Sequence, residues 1–141
     1  MVLGWTVQDE RLVDAMRMLG YLKNPYKCNK KDTVYKIMIH KTHKKKDGVF
    51  VYLYTSVDAV QCSFDNWYPD EASAFEDWQD EIDERGWILL DDPMPYCQHD
   101  ALLPIRVKGR NVNQPQWGKL EIYSNGEWKD YFPERRNKNE T

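Results

Sequence analysis

Between Asp91 and Asp100 the chain brings three carboxylates, a thiol and an imidazole into one short run, Asp91-Asp92-Pro93-Met94-Pro95-Tyr96-Cys97-Gln98-His99-Asp100. A thiol becomes a nucleophile at neutral pH when a base or positive charge draws off its proton. Cys97 with His99 as base and Asp100 as orienter has the residue types for that chemistry. The spacing works against it, because side chains two apart in an extended segment share a side but stand too far apart for a tight hydrogen bond unless the loop turns sharply. The competing reading is a proline-bounded loop whose polar side chains satisfy their own backbone. A ligand pocket is a further option. Asp91 and Asp92, with Arg106, Arg110 and Trp117, offer anions, cations and a flat apolar wall, and guanidinium groups grip carboxylate or phosphate bidentately.

A structural zinc site announces itself as two close ligand pairs. Cys97 with His99 makes one, and Cys28, Cys62, His40 and His43 do not complete the pattern. Neither a metal nor a cofactor is expected, and no motif is specific enough to name a reaction.

Two charged segments supply a different kind of site. Lys41, His43, Lys44, Lys45 and Lys46 fall between two strand-like runs and would project from a hairpin tip. With Arg106, Lys108 and Arg110 they could meet phosphates, while Tyr52 or Tyr54 stacked on bases. A lysine-rich turn also keeps a hairpin from pairing with other chains, and the net charge of −3 argues against nucleic acid. The opposite pole is the segment Asp70 to Arg85, where Glu76, Asp77, Asp80, Glu81, Asp83 and Glu84 crowd a helical pattern with only Arg85 to balance them. Such a surface steers association with a basic protein. The leading expectation is therefore a small non-enzymatic interaction or regulatory module, with the acidic helix as partner surface. An enzyme or ligand-binding protein built on the Asp91–Asp100 loop is the alternative, and nucleic-acid binding at the lysine tip follows it.

Charge is unevenly distributed along the chain: +6 over residues 1–50, −12 over 51–100 and +3 over 101–141. The first ten residues lack the basic stretch and long apolar run of a signal peptide, and no apolar run approaches the roughly 20 residues of a membrane span. Three widely spaced cysteines form no disulfide framework and read as reduced thiols of a cytoplasmic protein.

These residues need elements to position them. A helix is expected from Thr6, with Leu12, Val13, Met16 and Leu19 as its apolar stripe and Gly20 as its stop. A loop follows over 21–32. Strands are expected over Thr33 to His40, Val49 to Thr55 and Ala59 to Asp65, the first with Tyr35, Ile37 and Ile39 on one face and Lys36 and His40 on the other. A second helix opens at Pro69-Asp70 and ends at Gly86, with Ala72, Phe75, Trp78 and Ile82 facing inward. Trp87 to Leu90 reads as a short buried strand, and Leu102 to Lys108 as an edge strand limited by Pro104. Asn125-Gly126 is a strong hairpin signal between Trp117–Tyr123 and Glu127–Phe132. The order predicts an α+β fold, a mostly antiparallel sheet of about six to seven strands with two helices on one face. It is read as one domain over 1–132 with a polar tail over 133–141.

Overall fold

A computed structural model describes residues 16–133. The expected helix start at Thr6, its stripe residues Leu12 and Val13, and the tail beyond Pro133 lie outside the described residues. The chain forms two compact units, one ending at Asp92 and the other beginning at Pro93.

The first unit is built on a five-stranded antiparallel sheet in the order β4-β3-β2-β1-β5. Its strands are β1 (Met16–Lys27), β2 (Thr33–Lys41), β3 (Val49–Tyr54), β4 (Phe64–Tyr68) and β5 (Ile88–Leu90). The helix α1 (Glu71–Trp78) connects β4 to a 3-10 turn at Gln79–Glu81. β2 alternates as its sequence predicts, and the central strand β3 is buried along both faces. Ile37 and Ile39 join Val49, Val51 and Leu53 in one apolar layer, which packs on Ala74, Trp78 and Ile82. Asp70 caps α1 by accepting the Ser73 backbone N–H at 2.8 Å, so the helix begins where its first orphan donors find an acceptor. The inward stripe runs through Ala74 rather than Ala72, which is exposed.

Several expectations are corrected. The described part of the first expected helix is strand β1: Met16 and Leu19 pair with Lys41 and Met38 of β2. Gly20 continues that strand, because a Cβ there would lie 2.6 Å from Ile82 Cδ1 and 3.0 Å from the Trp87 ring. Its role is to let Ile82 and Trp87 pack close against the sheet rather than to end a helix. The expected loop over 21–32 is largely the rest of β1, with a register shift between Tyr21 and Tyr26 that accommodates Pro25, which has no N–H to donate. The third expected strand starts later, at Phe64, because the Ser56 hydroxyl and carbonyl bind the N–H groups of Asp58 and Ala59 and turn the chain first. The run Ile88–Leu90 is an edge strand, not a buried one: it pairs with β1 alone and leaves Leu89 74% exposed. The fold is therefore sheet-rich, with eight strands in two antiparallel sheets and a single α-helix among the described residues.

The second unit holds a three-stranded antiparallel sheet, β6 (Ile105–Val107), β7 (Leu120–Ser124) and β8 (Glu127–Tyr131), in the order β6-β7-β8. The expected hairpin joins β7 to β8. Asn125 at φ +52° and Gly126 at φ +85° supply the two left-handed residues that a tight two-residue turn needs. Strand β6 is at an edge and begins directly after Pro104, whose carbonyl accepts the Tyr123 N–H at 3.0 Å.

Candidate functional site

Eight carboxylates lie between Asp70 and Glu84. Local structure occupies some of them. Asp70 caps α1, and the Ser73 N–H holds its carboxyl below the ordinary range. Glu71 pairs with Lys41 of β2 at 3.2 Å. Asp83 binds Arg85 at 2.8 Å, which likewise lowers its pKa, and the Arg85 guanidinium lies over the Tyr21 ring at 3.9 Å. Glu76, Asp80, Glu81 and Glu84 are exposed and ion-pair with no described residue.

Asp77 is held differently. The Tyr68 hydroxyl donates to Asp77 Oδ2 at 2.8 Å and accepts from the indole Nε1–H of Trp78 at 3.1 Å. Burial, followed by the bond to Asp77, raises the Tyr68 phenol above its ordinary value. This relay ties a surface carboxylate to a core indole. Beside it lies a cleft of about 320 Å³ lined by Leu22, Asn24, Tyr26, Asp77, Trp78 and Glu81. Tyr26 is half exposed and meets Trp78 edge-on, with ring centroids 5.9 Å apart. Asp77 and Glu81, four residues apart across the end of the helix, put two carboxylates on the same side as these rings.

The other face of the five-stranded sheet carries a set of residues that the sequence reading placed only in part. Register sets three rows across the strands: Tyr21–Lys36–Tyr54, Leu19–Met38–Tyr52 and Arg17–His40–Phe50. Lys36 and His40 alternate with Ile37 and Ile39 as expected, yet both are 3% exposed. The Lys36 ammonium donates to the Val57 carbonyl at 2.7 Å and lies 5.5 Å from the Tyr54 ring centre and 5.7 Å from that of Tyr21. Burial lowers its pKa. Arg17 donates from Nε and Nη2 to the Asp91 carbonyl, at 2.9 and 2.6 Å, and burial lowers its pKa as well. His40 Nδ1 is 3.1 Å from the Tyr52 hydroxyl. Because Tyr52 and Tyr54 are buried, neither offers a ring for a base to stack on.

The lysine-rich segment does join β2 to β3, as expected. Part of its charge is spent internally, since Lys41 pairs with Glu71 at 3.2 Å; the His43 Nε2 lies 3.6 Å from Asp92. Trp67 Nε1 donates to the Asp47 carbonyl, anchoring the end of the segment.

The candidate residues of the Asp91–Asp100 loop divide between the two units, Asp91 and Asp92 falling in the first and Cys97, His99 and Asp100 in the second. Cys97 is buried at 4% and bridges to Arg106 through its backbone, while His99 is exposed. The chain turns ahead of it: Tyr96 adopts φ +70° and the Cys97 N–H binds the Met94 carbonyl. The Arg106 guanidinium is committed to Glu121 at 2.6 Å and stacks on Trp128 at 3.6 Å. Arg110 lies exposed in a 3-10 turn and Trp117 is 72% exposed. Among the described residues no three His, Cys, Asp or Glu side chains gather as a metal-binding group.

Asn24 and Tyr26 of the cleft are not among the residues expected at a site from the sequence, nor are Arg17, Tyr21 and Lys36 expected on a buried sheet face. Alternation along β2 was the available signal for Lys36. For Tyr26 there was none, since Asn24-Pro25 carries the chemistry of a turn. Comparison with protein-family models, curated proteins and solved structures finds no match for this chain.

Proposed function

We propose that this protein is a non-enzymatic interaction module that binds a basic protein partner through α1 and the turns that follow it. The observation that supports the reading is the charge left over on that surface. Glu76, Asp80, Glu81 and Glu84 stand exposed and ion-pair with no cation among the described residues, whereas Asp70, Glu71 and Asp83 are already engaged. Like charges gathered at the end of α1 and in the turns after it repel each other, and a surface that keeps them gains when a cationic partner neutralises them. The same field draws a basic partner in during encounter and weakens as salt screens it.

The test is the affinity of the full chain for a fluorescent lysine-rich peptide, measured by anisotropy at several salt concentrations. The wild type binds, more weakly as salt rises. The variant Glu76→Lys/Asp80→Lys/Glu84→Lys keeps its melting temperature and loses the binding. Equal binding by wild type and the folded variant removes the reading.

A further inference from the structure

We infer that the acidic surface recognises arginine in preference to lysine, and that the cleft between β1 and α1 is where the guanidinium is read. The inference rests on the acidic-surface reading and adds to it the side chain and its seat. Among the described residues two guanidinium groups are held by one device, a carboxylate at one edge and an aromatic ring beneath. Arg85 lies over the Tyr21 ring at 3.9 Å while Asp83 takes its Nε and Nη2, at 3.1 and 2.8 Å. Arg106 stacks on Trp128 at 3.6 Å while Glu121 takes its Nε at 2.6 Å.

The cleft presents the same components toward solvent. Asp77 and Glu81 supply carboxylates, the half-exposed Tyr26 ring supplies the platform, and the Asn24 amide offers a further acceptor. No cation is among its described lining residues, and a volume of about 320 Å³ takes one long side chain. The Tyr68 hydroxyl fixes one oxygen of Asp77, itself oriented by the Trp78 indole. A carboxylate held this way loses less freedom when it binds a fork of donors. A planar guanidinium can stack on the ring and meet a carboxylate bidentately at once, whereas a compact, strongly hydrated ammonium satisfies one contact at the expense of the other.

The experiment titrates the full chain with hexa-arginine and with hexa-lysine peptides under identical salt, following affinity and the Trp78 indole N–H resonance. Hexa-arginine binds about tenfold more tightly and shifts the indole resonance. Asp77→Asn, which keeps an acceptor for Tyr68, and Glu81→Gln each bring the two peptides to similar affinity. Glu84→Gln, outside the cleft, weakens both and preserves their ratio. Equal affinity of the wild type for the two peptides, or a ratio that Asp77→Asn leaves intact, overturns the cleft inference while the acidic-surface reading stands. Failure of both peptides to bind overturns both.

Discussion

Replacing Tyr68 by phenylalanine removes one oxygen and keeps the ring, so the perturbation falls on the relay alone. In the wild type that oxygen accepts the Trp78 indole N–H at 3.1 Å and donates to Asp77 at 2.8 Å. Trp78 is 8% exposed, so its N–H has little access to water as a replacement acceptor. A buried donor stranded in this way costs about 1–3 kcal/mol. The bond to Asp77 adds little, since that carboxylate is exposed and water can take the place of the phenol. A loss of about 1–3 kcal/mol is therefore expected, or roughly 5- to 150-fold in the folding equilibrium, with about 4–8 °C of melting temperature per kcal/mol for a unit of this size. Urea unfolding followed by tryptophan fluorescence and by circular dichroism measures it. The same substitution in a Trp78→Phe background, where no donor remains to strand, costs less, and the coupling exceeds about 0.5 kcal/mol. The pH dependence carries a sign. The Tyr68 phenol titrates above its ordinary value in the folded state, so its contribution is complete below about pH 10 and is lost as pH rises through the folded pKa. The variant lacks that alkaline loss. A stability within about 0.5 kcal/mol of wild type, or an equal cost in both backgrounds, refutes the relay as the link between core and surface.

Two further substitutions and one reagent probe the rest of the fold. Gly48→Ala places a Cβ 2.6 Å from the Tyr68 carbonyl at a backbone φ of +74°, whereas Gly86→Ala, at φ +71°, meets nothing within 4 Å. Chemical denaturation should show a cost of about 1–2 kcal/mol from left-handed strain at Gly86 and a larger one at Gly48; equal costs would refute the close packing there. Iodoacetamide followed by peptide mass mapping should modify Cys97 more slowly than the half-buried Cys28 and Cys62, because its thiol is buried. Fast, low-pH alkylation at Cys97 would favour a nucleophile instead.

The parts of this architecture legible in the sequence are those where one residue type satisfies one local demand. Asn125-Gly126 names its hairpin because both residues tolerate positive φ, β2 announces itself by alternation, and β3 by a run that is apolar or aromatic on both faces. Strand β1 was hidden by a coincidence of spacing. Met16 and Leu19 fit a helical stripe, Gly20 resembles a helix stop, and Asn24-Pro25 resembles a turn, whereas cross-strand pairing with β2 and the close approach of Ile82 decide the outcome. The acidic surface could be read from composition alone. The cleft could not, because Tyr26 and Asp77 lie 51 positions apart in the chain and meet only once β1 continues through its irregularity. Burial of Lys36 and His40 was likewise invisible, since a polar face along a strand reads as a solvent face until the structure shows both side chains enclosed.

A map of amide and indole chemical-shift changes in the isotope-labelled full chain, recorded as an arginine- and lysine-rich peptide is added, locates the binding surface directly. The largest changes are expected on the amides of Glu76, Asp80, Glu81 and Glu84 and on the Trp78 indole. Changes concentrated on the Lys41–Lys46 connection or on the sheet of the second unit would contradict the acidic-surface reading.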